Sequence, residues 1–298
     1  MTPISHHNIL VTGASGFIGR NFLKHQALLN ANIFCIRRHE TIIPNEGLGN
    51  DGITWVYESQ VAEITNIDAV LHLATSYGRL NTIDQVIFND VVWPLRIFDL
   101  AMSLGCKKII NVDSFFAKDA YSYGYMREYI LAKKSLRECL KLVALTNRVK
   151  VYNAVLEHVY GPGDNPDKFI NSVLLKILSN ALSIDLTAGN QTRDFIYVND
   201  VIDALITLID AKNDFGYQEV GIGMGSRTSL KEFFQRFKAI SKSTTKLNFG
   251  VVPYRENEIM DSVADIKTLL YMGWTPKIDI DIGLGLIYHD YVQEKNAI

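Results

Sequence analysis

Tyr129 and Lys133 are four residues apart. Their types and spacing suit a general acid, the Tyr129 phenol, with a cation beside it, for the reduction of a carbonyl. On a helix, side chains at i and i+4 share one face, so the ammonium lies beside the phenol and lowers the phenol pKa from about 10. A phenol with a lowered pKa is a good general acid for a developing alkoxide. We therefore predict that Tyr129 and Lys133 are catalytic.

The same spacing recurs at Tyr291 and Lys295, so position must separate the two pairs. A predicted strand before Tyr129 ends at Ser114, whose hydroxyl is suited to holding a substrate carbonyl. Tyr291 has no such neighbour, and we interpret its pair as a solvated helix end. The predicted catalytic set is therefore Ser114, Tyr129 and Lys133.

A glycine motif, Gly13-x-x-Gly16-x-x-Gly19, follows an apolar run near the start of the chain. Gly13 allows a tight turn, Gly16 lets backbone N–H groups approach a pyrophosphate, and Gly19 lets a helix pack closely on the strand. The motif predicts a nucleotide cofactor site. The residues assigned to this site are Gly13, Ser15, Gly16, Phe17, Ile18, Gly19, Leu73, Ala74, Tyr129 and Lys133.

Arg37 and Arg38 stand at the end of the second predicted strand. An acidic residue at that place binds the ribose hydroxyls of NAD, whereas arginines attract the 2′-phosphate of NADP. The sequence therefore predicts NADPH as the cofactor, with both arginines around the phosphate.

The elements that must position these residues alternate between short apolar runs and longer amphipathic ones, which is typical of βαβ units. This predicts an α/β fold with a Rossmann-type doubly wound parallel sheet in residues 1–160. A smaller mixed α/β substrate-binding lobe is predicted in 161–298, with about 194–214 packing back on the first domain. Predicted strands are 8–12, 32–37, 54–57, 69–74, 108–113, 150–156 and 194–198. Predicted helices are 16–29, 82–104, 124–145, 168–180 and 199–210.

The composition indicates an ordinary globular protein. Its 298 residues are 48% hydrophobic and 21% charged, with a formal net charge of −2. This balance argues against nucleic acids and membrane surfaces as partners, because no basic stripe is available. Three cysteines without paired spacing, and histidines without ligand spacing, predict no disulfide framework and no metal site. A polar start and the lack of a long apolar run predict a cytoplasmic protein without a membrane span.

The glycine motif together with Ser114, Tyr129 and Lys133 resembles the extended short-chain dehydrogenase/reductase family, also described as the NAD-dependent epimerase/dehydratase family. The resemblance covers essentially the whole chain and implies an NADP-dependent oxidoreductase acting on a sugar nucleotide. It also implies a homodimer formed through the helices 82–104 and 124–145. Further segments that resemble the family are 72–74, 159–163, 193–201, 255–258 and 272–276.

The resemblance places Arg193 and Arg255 at the diphosphate of the substrate, where a guanidinium fork suits a pyrophosphate. A surface ion pair, with Asp194 as partner of Arg193, is the alternative. His158 replaces the asparagine that is commoner in the family, and either touches a sugar or satisfies a core hydrogen bond. The residues assigned to substrate are Tyr77, Ser114, Phe115, Asn153, His158, Arg193 and Arg255.

The two residues after Ser114 indicate which of the family's reactions this chain can catalyse, and here both are phenylalanines. The family's dehydratases carry an Asp-Glu pair there, and its 3,5-epimerising reductases need a cysteine near this strand end. Phe115 and Phe116 cannot move protons. This leaves ketone reduction by hydride, or a 4-epimerase that oxidises and re-reduces one carbon. NADPH favours net reduction, since a 4-epimerase retains and recycles NAD.

Segments 72–78, 113–118, 156–164 and 256–264 carry a narrower resemblance to reductases of CDP-linked sugars. The resulting hypothesis is an NADPH-dependent 4-ketoreductase of CDP-4-keto-3,6-dideoxyglucose in bacterial O-antigen and lipopolysaccharide synthesis. The alternatives are a dTDP- or UDP-sugar 4-ketoreductase or 4-epimerase, and a non-catalytic NADP-sensing regulator. A regulator has no need of an intact Ser114, Tyr129 and Lys133.

Overall fold

The structure is a computed structural model that describes residues 7–25, 30–37, 52–76, 82–121, 124–212 and 216–296. Its strands are β1 (Asn8–Thr12), β2 (Asn32–Arg37), β3 (Ile53–Tyr57), β4 (Ala69–His72), β5 (Lys108–Ser114), β6 (Lys150–Leu156), β7 (His158–Tyr160), β8 (Ser183–Leu186), β9 (Thr192–Arg193), β10 (Phe195–Tyr197), β11 (Gly216–Ile222), β12 (Thr228–Ser229) and β13 (Lys246–Phe249). Its α-helices are α1 (Phe17–Leu23), α2 (Ile83–Ile87), α3 (Trp93–Ser103), α4 (Arg127–Ala144), α5 (Phe169–Leu178), α6 (Val198–Asp210), α7 (Leu230–Ile240), α8 (Lys267–Tyr271) and α9 (Ile280–Asn296). The predicted site residues Arg38 and Tyr77 lie outside the described residues.

Contacts divide the chain into two units. The first comprises 1–120, 125–155 and 202–220. The second comprises 121–124, 156–201 and 221–298.

A seven-stranded sheet has the order β11-β6-β5-β4-β1-β2-β3. The pairings of β1 with β2 and β4, of β2 with β3 and of β4 with β5 are parallel. Five of the six sheet strands predicted from the first half of the sequence are matched to within one residue at each end, and the sixth, β4, ends at His72 rather than Ala74. The predicted doubly wound parallel sheet is thus confirmed, and its order is that of Rossmann-type folds.

The sheet is apolar on both faces, as a parallel sheet covered by helices must be. Leu10, Val70 and Ile109 from neighbouring strands are fully buried in one cluster. Phe98 of α3 and Leu136 of α4 belong to the same cluster. This packing fixes α4 against the sheet, and with it the predicted catalytic face.

The helix predicted over 82–104 is interrupted. α2 runs into a π-helical turn at Phe88–Val92, and α3 follows with Pro94 in its first turn. Proline has no N–H and its ring clashes with the preceding turn, so a regular hydrogen-bond ladder cannot continue through it. The turn buries Asp90, which matters for the site described below.

The second unit contains three two-stranded pairings: β10 with β7, β12 with β9 and β13 with β8. An aromatic cluster fills its core, with the rings of Phe195 and Phe233 stacked at 3.9 Å and Tyr160 edge-on to both. Asp194 is fully buried and accepts hydrogen bonds from the backbone N–H groups of Met224, Gly225 and Ala264.

In the described part of the chain, no helix combines the length and the apolar character needed to cross a membrane.

Candidate active site

The loop after β1 has no room for a side chain at Gly13 or at Gly19. Gly13 has φ +72°, and a Cβ on it would lie 2.5 Å from the backbone nitrogen of Ala74. A Cβ on Gly19 would lie 2.5 Å from the carbonyl oxygen of Gly13. The backbone N–H of Gly16 donates to that same carbonyl at 3.0 Å and closes the turn. The loop therefore leaves its backbone open at Gly16, which is exposed.

The sequence did not reveal how this loop is braced. The Arg20 guanidinium donates to the carbonyl of Ser15 at 2.7 Å. The Thr12 hydroxyl accepts from the Ala74 N–H at 3.3 Å and lies 2.7 Å from the Nδ1 atom of His72. These contacts bring Leu73 and Ala74 beside the glycine loop. The remaining predicted cofactor residues, Ser15, Phe17 and Ile18, are half-buried in the loop and first turn of α1.

Arg37, the last residue of β2, is paired with Tyr57, the last residue of β3. Its guanidinium donates to the Tyr57 hydroxyl at 2.8 Å and lies 4.3 Å from the centre of that ring. The Arg37 Nε atom is buried and has no hydrogen-bond partner among the described residues. The tyrosine fixes the plane of the guanidinium, which leaves an N–H donor for a ligand at the end of β2.

Ser114 ends β5 and begins a 3₁₀ turn at Phe115–Ala117. Its hydroxyl oxygen accepts from the Phe116 N–H at 3.3 Å, and its own N–H donates to the Asp113 carboxylate at 2.7 Å. A hydroxyl oxygen has two lone pairs and one proton. The proton of Ser114 therefore remains for donation to a carbonyl. Phe115 is 3% exposed and packs against Phe116.

Tyr129 and Lys133 lie on one buried face of α4, 5% and 4% exposed. The Lys133 Nζ atom is 5.8 Å from the centre of the Tyr129 ring and donates to the carbonyl of Val112 in β5 at 2.7 Å. Burial lowers the pKa of Lys133, and the carboxylates of Asp113 and Asp90 oppose that shift. The predicted spacing is therefore realised as a contact, within the same unit as Ser114.

Asp90 is a buried carboxylate of this region that the sequence analysis missed. It is 3% exposed, and its Oδ1 atom accepts from the Ser76 N–H at 2.7 Å. Its Oδ2 atom has no hydrogen-bond partner among the described residues. Burial raises the pKa of Asp90, and the charge of Lys133 opposes this. Only the π-helical turn at Phe88–Val92 brings this side chain inward, and that turn was not predicted.

In the second unit, Arg193 is 5% exposed and pairs with Glu258 at 2.9 Å. Asp194, the alternative partner in the sequence analysis, is instead committed to backbone N–H groups. Arg255 is exposed, and its carbonyl accepts from the Glu258 N–H at 3.2 Å. Both arginines predicted for the diphosphate thus contact Glu258, Arg193 through its side chain and Arg255 through its backbone.

His158 is half-buried and packs against Phe195, with ring centres 5.2 Å apart. Burial, with the positive charges of Arg193 and Lys168 as smaller causes, lowers its pKa to about 3. A neutral imidazole therefore lies near Arg193.

Asn153 is fully buried in β6. Its amide donates to Asp113 at 2.9 Å and accepts from Asn111 at 2.6 Å. Its assignment to substrate stays a prediction, and these contacts favour a role in holding Asp113.

The sheet order and the glycine turn after β1 define a dinucleotide-binding protein of the Rossmann class. The sequence model of the NAD dependent epimerase/dehydratase family matches residues 9–223. The chain therefore belongs to the NAD dependent epimerase/dehydratase family, as predicted.

Two curated relatives are CDP-abequose synthases. The one from Salmonella typhimurium is 34% identical, and the alignment covers 93% of this chain and 95% of the relative. The one from Salmonella muenchen is 35% identical with the same coverage. The narrower resemblance to enzymes of CDP-linked sugars is thus confirmed as a likeness to CDP-abequose synthase.

Among solved structures, the UDP-glucose 4-epimerase of Thermotoga maritima, determined with UDP-glucose, has a TM-score of 0.81 to this chain. It is 20% identical and covers 97% of this chain and 99% of its own. At this identity the likeness establishes the fold.

Proposed function

We propose that the protein is an NADPH-dependent 4-ketoreductase of a nucleotide-linked 4-keto-deoxyhexose. Its substrate is CDP-4-keto-3,6-dideoxyglucose and its product is CDP-abequose. The observation that carries the proposal is the sequence of the turn after β5, where Ser114 is followed by Phe115 and Phe116. A hydroxyl followed by two phenylalanines orients a ketone but supplies no second acid or base for dehydration. The 34% identity to a CDP-abequose synthase supports the CDP-sugar as substrate.

The residues of the first unit fit a dinucleotide phosphate. A Cβ at Gly13 or Gly19 would collide with the backbone of Ala74 or of Gly13, so these glycines preserve the tight turn on which a pyrophosphate site of this class depends. The buried Arg37 Nε atom has no hydrogen-bond partner among the described residues. Arg37 ends β2, the position at which proteins of this class contact the adenosine ribose, and NADPH carries a 2′-phosphate on that ribose that NADH lacks. Gly13, Gly16 and Gly19 would hold the pyrophosphate, and Arg37 with Arg38 the 2′-phosphate. When bound, the nicotinamide supplies the hydride for C4.

The chain's own residues manage the proton. Ser114 donates its hydroxyl proton to the C4 carbonyl and holds it in place. As the carbonyl oxygen gains negative charge, Tyr129 transfers its phenolic proton to it, so that a C–H bond and an O–H bond replace the carbonyl π bond. Lys133, held by Val112, stabilises the resulting phenolate through its positive charge.

The second unit supplies cations for a diphosphate. Arg193 and Arg255 are proposed to bind the two phosphates of the CDP-sugar, as charge-assisted donors. Glu258 keeps the Arg193 side chain extended and partly neutralised until an anion competes for it. The neutral His158 beside Arg193 is proposed to contact the sugar rather than to titrate.

A 4-epimerase is the second candidate, because the solved neighbours include 4-epimerases. That activity would retain NAD and consume no external reductant. The presence of Arg37 at the position where an acidic residue would favour NAD supports the reductase instead.

The test is incubation with NADPH and a panel of CDP-, dTDP- and UDP-linked 4-keto-deoxyhexoses, with product structure determined by NMR. The proposal expects reduction at C4 with the CDP-sugar preferred. Preference for another base would correct the substrate. If NADPH is oxidised with none of the ketones, and the enzyme with NAD instead interconverts the 4-hydroxy epimers of a sugar nucleotide, the epimerase replaces the reductase.

We also propose that the enzyme works as a homodimer in the cytoplasm of a bacterium that builds O-antigen for lipopolysaccharide. Ile83, Phe88 and Leu131, from α2, the π-helical turn and α4, are each 44–50% exposed, which supports a partner surface there. Light scattering should report twice the mass of the chain. A monomer at micromolar concentration would remove the dimer from the proposal.

A further inference from the structure

One face of α4 carries three buried polar side chains at successive turns: Tyr129, Lys133 and Arg137. Arg137 is 4% exposed and is not used by the proposed chemistry. An arginine buried in the middle of a helix is costly unless its charge and its donors are matched. Its partners therefore indicate what it holds.

The guanidinium of Arg137 grips both ends of the turn that carries Ser114. Its Nε atom donates to the Oδ2 atom of Asp113 at 3.0 Å, immediately before Ser114. Its NH2 group donates to the carbonyl of Ala117 at 2.6 Å, at the end of the same turn. The other oxygen of Asp113 accepts the Ser114 N–H at 2.7 Å. Helix α4 is thereby tied to the serine from two sides.

Asp113 is itself immobilised by the sheet. Its Oδ2 atom accepts a further hydrogen bond from Asn153 at 2.9 Å, and Asn153 accepts one from Asn111 at 2.6 Å. The side chain of Asp113 is fully buried. Asp113 therefore anchors the Ser114 end of the turn to the sheet, and Arg137 ties both this anchor and the Ala117 end of the turn to α4.

We propose that Arg137 is a positioning residue for the reduction, which fixes Ser114 relative to Tyr129 and Lys133. This inference rests on the proposed function, in which those three residues act on the same carbonyl. The fork of an arginine binds two acceptors in fixed geometry, whereas a lysine at this position reaches one. A displacement of about 1 Å in a reacting group is enough to cost about 10²-fold in rate.

The test compares Arg137→Met and Arg137→Lys with a matched control, Lys141→Met. Lys141 lies one turn further along α4, is exposed and pairs with Glu138. We expect Arg137→Met to lower kcat about 10- to 100-fold while the NADPH dissociation constant, followed by nicotinamide fluorescence, stays within about 3-fold. Arg137→Lys should recover part of kcat. Hydrogen exchange of the 113–118 amides should accelerate in Arg137→Met and stay unchanged in Lys141→Met.

A merely structural role would weaken NADPH binding and stability together and leave kcat per folded molecule near its original value. That result, or kcat within twofold of wild type in folded Arg137→Met, overturns the proposal. If Arg137→Met does not fold, the test rests on Arg137→Lys. A loss of kcat in Arg137→Lys with unchanged NADPH binding supports the proposal, and full activity overturns it. If the wild type reduces none of the sugars, the proposed function has failed, and the hydrogen-exchange comparison alone decides whether Arg137 holds the turn.

Discussion

The ammonium of Lys133 lies 5.8 Å from the centre of the Tyr129 ring, and the carbonyl of Val112 holds it there at 2.7 Å. Helix α4 thus supplies both the proposed acid, Tyr129, and the cation beside it, and strand β5 sets the position of the cation. The same tyrosine-lysine spacing exists on α9, where Lys295 is 4.8 Å from the Tyr291 ring. Proximity of a cation to a phenol is therefore insufficient to identify a catalytic pair. The neighbouring Ser114 distinguishes the pair on α4 from the pair on α9.

These two pairs provide a matched test. Tyr129→Phe should lower kcat about 10²- to 10⁴-fold, because it removes a positioned acid, with little change in NADPH binding. Tyr291→Phe should leave kcat within twofold of wild type. Steady-state kinetics on both variants checks this. More than a third of wild-type turnover in Tyr129→Phe would show that another group delivers the proton.

Replacing either residue of the Arg193–Glu258 ion pair should change the affinity for the CDP-sugar, and the two replacements should act in opposite directions. Arg193→Ala should weaken CDP-sugar binding by about 1.5–3 kcal/mol, the value of a charge-assisted hydrogen bond. Glu258→Gln should strengthen binding, because the diphosphate no longer competes with a carboxylate for Arg193. Calorimetry with CDP measures both. Arg227→Ala serves as the control, since Arg227 is an exposed arginine paired with Asp261. If Glu258→Gln weakens binding as much as Arg193→Ala, the pair is structural.

Arg37 predicts the cofactor preference. The wild type should use NADPH better than NADH, and Arg37→Asp should reverse this preference, because it converts attraction for the 2′-phosphate into repulsion. The expected change is about 1–3 kcal/mol in relative kcat/KM, since Arg37 is half-buried. Tyr57→Phe, which keeps the stacked ring and loses one hydroxyl, should change the preference little. Equal use of both cofactors by the wild type would contradict the assignment and favour the epimerase.

Two histidines with lowered pKa values, His72 and His158, predict how stability depends on pH. Burial, with the charge of Lys133 as a smaller cause, lowers the pKa of His72 to about 3, and the pKa of His158 is lowered to the same value. Between pH 3 and 6.5 the unfolded chain binds protons that the folded chain does not, so the free energy of unfolding falls as pH falls. Each histidine should cost about 2 kcal/mol between pH 7 and pH 5.

Urea unfolding of His72→Asn across this range should show a shallower loss of stability than the wild type by about that amount. The exposed His289→Asn should follow the wild-type curve. An unchanged slope in His72→Asn would mean that His72 is protonated in the folded protein.

Much of the first unit was predictable because buried parallel strands are short apolar runs. The bounds of β1, β2 and β6 agree with the predicted ranges. β10 lies within the predicted strand 194–198. The strands β7, β9 and β12 were missed because each is only two or three residues long, and so few residues show no periodicity.

The chemistry was predictable only where its residues are close in sequence. Tyr129 and Lys133 are one helical turn apart, so their contact follows from spacing. Arg137 reaches Asp113 across 24 positions, and its sequence context is that of an ordinary charged helix residue. Asp90 lies buried in a π-helical turn that precedes Pro94. The regular 3.6-residue period used to predict helices does not reveal such a turn.

The central claim is net hydride transfer to C4 of a CDP-linked ketone. NADPH deuterated at C4 of the nicotinamide, once on each face, is mixed with excess CDP-4-keto-3,6-dideoxyglucose and the enzyme. The account predicts that one NADPH is oxidised per product and that deuterium from one face only appears at C4 of CDP-abequose by NMR. Conversion of a sugar nucleotide with no NADPH oxidised and no deuterium at C4 would contradict it.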